Sequence, residues 1–147
     1  VFSGKDSAEF VIESQHLRPA FDLIGCCRLQ MMELGFEVEY YAGLFSAITG
    51  RKISWDDLLA VSEKVWNLTR MIWAREVDNF DRKMDYPPAR FYEEPTPTGP
   101  NKGHYINKKE LDELLDAYYA KRGWDTDGLP TKETIDRVGL NQLIEQN

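Results

Sequence analysis

Apolar positions along this chain recur at helical intervals in separate stretches, and none alternates long enough to mark a strand. The clearest run extends from Ser54 to about Ala74, with Leu58, Val61, Val65, Leu68 and Ile72 three or four residues apart. Trp55, Trp66 and Trp73 widen that apolar surface, which reads as core. Ser54 is placed to cap the helix, and Asp56 and Asp57 complement its dipole. A preceding helix begins near Val38, carries Tyr41, Leu44, Phe45 and Ile48 on one face, and meets Gly50 where a C-cap belongs. The short link between the two predicts an antiparallel αα-hairpin. Earlier still, Phe10, Val11 and Leu17 suit a short helix from Ser7 to about Leu17 that Pro19 ends or bends. Ala20 to Leu29, poor in polar residues, reads as a buried turn.

Periodicity disappears between Asp78 and Gly103, where five of the seven prolines fall. Such a long loop is usually functional or a wrapping connection. The helical signal returns at Asn107, with Glu110 in capping-box position and Leu111, Leu114, Leu115, Tyr118 and Tyr119 as the apolar face. Gly123 closes that helix. Pro130 and Thr131 open a last one, which Gly139 ends. The expected fold is all-α and multihelical: antiparallel helix pairs with a long Pro/Gly-rich loop. Residues 1-85 form one helical segment. Residues 86-147 form a Pro-rich connection and a C-terminal helical segment packed on the first.

A hydrophobic share of 42% and an aromatic share of 12% over 147 residues can fill an interior, which argues against disorder. The chain opens on Val1 and not methionine, so it reads as processed or cut from something longer. Nothing near its start resembles a signal peptide, and its apolar stretches are broken too soon to cross a bilayer. The net charge of −7 disfavours nucleic acid and membrane surfaces as partners. Arg82 and Lys83 stand among acids and form no basic stripe. The two cysteines, Cys26 and Cys27, are adjacent, and bridging neighbours is strained. A reducing, cytoplasmic setting is expected.

Chemistry concentrates at Asp22-Leu23-Ile24-Gly25-Cys26-Cys27, where a carboxylate, a glycine permitting close backbone approach and thiol donors fall together. Alone this is a weak signal, because free cysteines ordinarily serve as small buried hydrophobes. Two thiols also cannot hold an iron-sulfur cluster, which normally takes four cysteines. His16 and His104 have no zinc spacing and read as surface or capping residues. Asp125-Thr126-Asp127-Gly128 departs from a calcium loop and reads as a polar turn. Thr98 to Gly103 lacks phosphate-loop spacing and reads as a structural turn.

Asp22-x-x-Gly25-x-Cys27 nevertheless resembles the second pterin- and cluster-binding motif, D-x-x-G-L-C, of the aldehyde ferredoxin oxidoreductase family. Further matches follow in order. They include Glu39-Tyr40-Tyr41-Ala42 to Thr49-Gly50, Ser54 to Arg75-Glu76, Asp81-Arg82-Lys83, and Arg90-Phe91-Tyr92-Glu93-Glu94-Pro95. Thr98-Gly99-Pro100-x-Lys102-Gly103, Tyr118-Tyr119, Arg122-Gly123-Trp124, Asp127-Gly128-x-Pro130-Thr131 and a closing Gly139-Leu140 complete the series. Each tag is unspecific, but the ordered series from about residue 20 onward resembles the family's C-terminal domains, 2 and 3. The resemblance implies an oxidoreductase with tungsten or molybdenum on two molybdopterin dithiolenes and a 4Fe-4S cluster. A CxxCxxxC run elsewhere would give three cluster ligands. Carried over, Cys27 is the fourth cluster ligand, Asp22 contacts pterin nitrogens, and Gly25 lets backbone approach closely. The implied reaction oxidises an aldehyde to a carboxylic acid and passes electrons through the cluster to ferredoxin. No catalytic residue is assigned here, the chain alone is expected to be inactive, and a homodimer is among the expected states.

Three departures stand out. Cys26 takes the family's usual leucine position, which makes it the second choice for the cluster ligand. Val77 replaces a glycine after Arg75-Glu76, and Asp78-Asn79 look inserted. The cluster triplet and first pterin motif lie outside the chain. Two other readings compete. One is a segment of a related tungsten enzyme, such as a benzoyl-CoA reductase subunit. The other is a free-standing helical module that binds a partner through its tryptophan face.

Overall fold

The computed structural model describes residues 4–29, 35 and 37–144. Its helices are α1 (Gly4–Leu23), α2 (Glu39–Thr49), α3 (Trp55–Glu76), α4 (Arg90–Glu93), α5 (Lys108–Arg122), α6 (Lys132–Arg137) and α7 (Asn141–Ile144). A 3-10 turn at Arg82–Asp85 lies between α3 and α4. The fold is all-α, and among the described residues only an isolated bridge, Trp124 to Pro130, has strand-like pairing. No helix is long and apolar enough to cross a membrane among the described residues.

Several ends follow from local chemistry. Ser54 and Asp57 form a reciprocal capping box at the start of α3. Asn107 accepts the Lys109 amide at the start of α5, and Thr131 accepts the Thr134 amide at the start of α6. Gly50 follows α2 in the left-handed region at φ 70°. The stretch after α3 differs from the expected loop: the 3-10 turn and α4 give it structure of its own. Where a glycine is expected after Glu76, Val77 stays extended at φ −106° and the left-handed step moves to Asn79 at φ 54°. Thr98 to Gly103 forms a turn whose flanks are joined by Thr96 and His104. Asp125 accepts the amides of Asp127 and Leu129, so 125–128 is the expected polar turn.

Pro19 neither ends nor visibly interrupts α1, which continues four residues beyond it to Leu23. An interior proline deprives the carbonyl four residues back of its partner, at a cost of about 3 kcal/mol. That carbonyl belongs to Gln15, and it accepts the indole N–H of Trp66 on α3. A tertiary bond thus replaces the missing helical one, and the same contact sets α1 against α3. The other flank of α1 packs on α5. Ala8 and Ala20, both buried, keep the helix surface low enough for close approach.

Two interiors result. Near the end of α1, Ala20, Ala42 and Leu58 are buried with Ile24, Ile53 and Trp55 around them. Phe21 meets Tyr41 edge-on at 4.9 Å and Trp55 at 5.6 Å. The second interior lies between α3 and α5 and is more polar than the apolar stripe of α3 predicts. Its buried α3 residues are Ser62, Asn67 and Arg70, while Val61 and Ile72 remain exposed. Asn67 accepts the Trp124 indole N–H at 2.7 Å. Arg70 donates to the Gly128 carbonyl at 2.7 Å, forks onto Asp85, and lies over the rings of Phe80 and Trp124. Tyr119 also donates to Asp85. Burial, then the Asp85 carboxylate, pushes the Tyr119 phenol far above its usual range, so it stays a donor. On the surface, Arg82 pairs with Asp116 and Lys83 with Asp81, which leaves these cations among acids as the sequence suggests.

His16 departs from the expected surface role. It is half-buried, and its Nε2 stands 2.8 Å from Nη1 of the buried Arg122, which also bonds Gln15 and Tyr118. A guanidinium only donates, so Nε2 accepts and the ring is neutral. Burial, then the Arg122 charge, holds its pKa below the usual value, against an opposing pull from Glu63. The unfolded chain therefore takes up the proton first on acidification. This contribution to stability is complete above about pH 6.5 and declines as pH falls through the lower folded pKa. His16→Gln keeps an acceptor for Arg122 without titrating. It is expected to flatten the fall in melting temperature between about pH 6.5 and 5. An unchanged slope would show that His16 plays no part in it.

Candidate functional site

Helix α1 ends in a closure that presents the Asp22 to Cys27 stretch. The Cys26 amide bonds the Phe21 carbonyl at 3.0 Å, and the Gly25 amide bonds the Asp22 carbonyl at 3.2 Å. These nested bonds require a left-handed residue between them, and Gly25 supplies it at φ 71°. No heavy atom beyond its chain neighbours lies within 4 Å of where a Gly25 Cβ would stand, so the backbone there is open to approach. The stretch is therefore not the expected buried turn. Phe21 is buried, but Asp22, Leu23, Gly25, Cys27 and Leu29 are all exposed.

The two thiols differ because of this geometry. Cys26 follows the left-handed residue, where such closures commonly place an apolar side chain against the helix. It is half-buried, with Sγ 3.9 Å from the Ile24 carbonyl. That is the demand a leucine would meet at this position. Cys27, one residue on, is exposed. Asp22, Gly25 and Cys27 thus share one accessible turn, and Cys26 stands partly behind it.

Other chemistry-bearing residues lie elsewhere. His16 belongs to the Arg122 cluster, and His104 is exposed at the 96–104 turn. Among the described residues, no three His, Cys, Asp or Glu side chains gather closely enough to hold a metal ion. A cavity of about 270 Å³ between α1, α3 and α5 is lined by Gln15, Trp66, Trp73, Tyr118 and Trp124, among others. Gln15 precedes Asp22 by seven residues, about 10 Å along the helix, so this cavity and the turn occupy different parts of α1. Tyr41, whose ring meets Phe21 edge-on, carries no chemistry in the sequence reading. Its phenol oxygen is the buried side-chain polar atom without a hydrogen bond among the described residues.

Fold and turn together define an all-helical unit that offers a thiol, a carboxylate and an open glycine at one helix end. The family model for aldehyde ferredoxin oxidoreductase, domains 2 and 3, matches residues 1–140. The chain belongs to the aldehyde ferredoxin oxidoreductase family. It is 35% identical over 140 residues to the tungsten-containing aldehyde ferredoxin oxidoreductase of Pyrococcus horikoshii, covering 95% of this chain and 22% of that protein. The Pyrococcus furiosus enzyme of the same description is 35% identical over 138 residues, covering 94% and 22%. The WOR-like subunit of an aliphatic sulfonate oxidoreductase from Pyrococcus furiosus is 38% identical over 61 residues, covering 42% and 10%. The chain thus spans about a fifth of the length of the full-size relatives it matches.

Proposed function

We propose that this chain supplies the 22–27 turn to a tungsten- or molybdenum-pterin oxidoreductase that converts aldehydes to carboxylic acids. Cys27 is the thiolate that completes a 4Fe-4S cluster whose other three cysteines lie outside the chain. Asp22 accepts hydrogen bonds from pterin nitrogens, and Gly25 lets the backbone come close. The observation carrying this reading is the exposure of all three residues on one turn with a left-handed glycine at its centre. A ligand thiol must be reachable, and the half-buried Cys26 meets that need less well than Cys27.

When bound, the metal-pterin group and the cluster supply the redox chemistry, in which aldehyde and water give acid, two protons and two electrons. The residues of this chain position those groups. Asp22 fixes the pterin's orientation, because a carboxylate on a rigid helix end accepts from ring N–H groups in one geometry. Cys27, five residues on, holds the cluster near it and shortens the path by which electrons leave, singly, for ferredoxin. Alone, the chain is expected to turn over no aldehyde.

The test is cysteine replacement in the full-length protein. Cys27→Ser is expected to abolish the cluster's EPR signal and Cys26→Ser to preserve it. The reverse pattern would move the ligand to Cys26, and retention in both variants would remove the turn from the cluster altogether. A second reading draws on the match to the sulfonate oxidoreductase subunit: the same turn serves a related enzyme with another substrate. Substrate oxidation assays on the full-length protein separate the two.

A further inference from the structure

The cavity of about 270 Å³ between α1, α3 and α5 is walled mainly by rings, those of Trp66, Trp73, Trp124 and Tyr118, with Leu114 and Leu115 as aliphatic lining. Its lining runs from buried to open: Arg70 and Trp124 are 6% and 7% exposed, whereas Val11 and Trp73 are 38% and 55% exposed. The polar groups here already have partners. Arg70 gives its guanidinium to the Gly128 carbonyl and to Asp85, and Asp85 is held in turn by Tyr119. The Trp66 indole donates to the Gln15 carbonyl, the Trp124 indole to Asn67, and the Tyr118 hydroxyl to the Gln15 side chain. A guest is therefore offered aromatic and aliphatic surface.

Charge is disfavoured in both directions. An anion would have to take Arg70 from Asp85 against the repulsion of that carboxylate. A cation would meet Arg70 and Arg122, whose guanidiniums already lie 4.9 to 5.8 Å from the Trp124, Trp66 and Tyr118 rings. Either ion would shed its water without finding a free counterion. An apolar cavity of about 150 Å³ is enough for one benzene, so this one has room for a substituted ring, while it is too small to admit a helix. Contact between rings adds to the gain from burial when guest and wall are both aromatic.

We infer that this cavity is a binding site for a neutral, single-ring aromatic molecule. The site is built by three helices of this one chain and is separate from the 22–27 turn, so it stands or falls independently of the role given to Cys27. The test uses the full-length protein and three probes of similar size: para-fluorobenzyl alcohol, para-fluorobenzoate and para-fluorobenzylammonium, followed by fluorine NMR. The alcohol should show saturable binding, and each ion should bind roughly tenfold or more weakly. Val11→Trp narrows the opening and Trp73→Ala removes a wall, and each should weaken the alcohol by roughly tenfold. Both side chains are exposed, so the melting temperature should stay close to that of the native protein. Equal binding of the three probes would overturn the proposal, because the site would not select by charge. Alcohol binding that survives in both variants would overturn it too, by placing the ring elsewhere. The absence of any saturable binding would mean that the remainder of the polypeptide fills the cavity, and would also overturn it.

Discussion

Arg70→Ala is expected to lower the unfolding free energy by roughly 3 kcal/mol, the low end of the cost of removing one partner from a buried ion pair. The guanidinium is almost fully buried, with its side chain 7% exposed, and it serves four groups. It forks onto Asp85, bonds the Gly128 carbonyl, and spreads over the Phe80 and Trp124 rings. Alanine would leave the Gly128 carbonyl without its donor and Asp85 with only the Tyr119 hydroxyl of the three bonds described here. The retained tyrosine bond, and the 23% exposure of the Asp85 side chain, keep the loss near the lower bound. Urea unfolding followed by tryptophan fluorescence measures it, because Trp124 sits against Arg70. A loss below about 1 kcal/mol would mean that water replaces the arginine freely and that the site is not an interior.

The long helix shows why part of this was hidden in the sequence. The boundaries of α3 were legible, since Ser54, Asp57 and the apolar spacing are local signals. The face it buries was not. Asn67 and Arg70 can be buried only because Trp124, Asp85 and Gly128 answer them, and those partners lie 15 to 58 residues away. The continuation of α1 past Pro19 was hidden for the same reason. The proline's local effect is to break a helix, and the Trp66 indole that compensates is 51 residues from the Gln15 carbonyl. His16 likewise became an acceptor for a guanidinium 106 residues on. The site divides along the same line. Gly25 was legible as a place of close backbone approach and not as a helix end, because the helix was expected to stop near Leu17, although the closure the glycine makes is local. The different exposure of Cys26 and Cys27 required the closure's geometry. Most signals carried by chain neighbours were readable, the end of α1 at Gly25 excepted, and those carried by distant partners were not.

Gly128→Ala should strike the same interior from the other side, at a cost of roughly 2–4 kcal/mol from a left-handed backbone and a crowded side chain combined. Gly128 is buried at φ 80°, and a Cβ there would overlap Arg70 Nη2 and stand 2.8 Å from Tyr119 Cζ and 2.9 Å from its hydroxyl. The arginine tip cannot swing aside without releasing Asp85, and the tyrosine ring is held by Trp124 and by its own bond to Asp85. The clash and the ion pair are therefore not independent. In an Arg70→Ala background the nearest obstruction is gone, so the glycine replacement should cost about 1 kcal/mol less than in the native protein. Urea midpoints of the two single variants and the double variant give that difference directly. Strict additivity would show that Arg70 does not crowd the glycine, leaving backbone conformation and the Tyr119 ring to account for its cost. The polar interior between α3 and α5 would then be held by packing and not by the fit of Arg70 to the 125–128 turn.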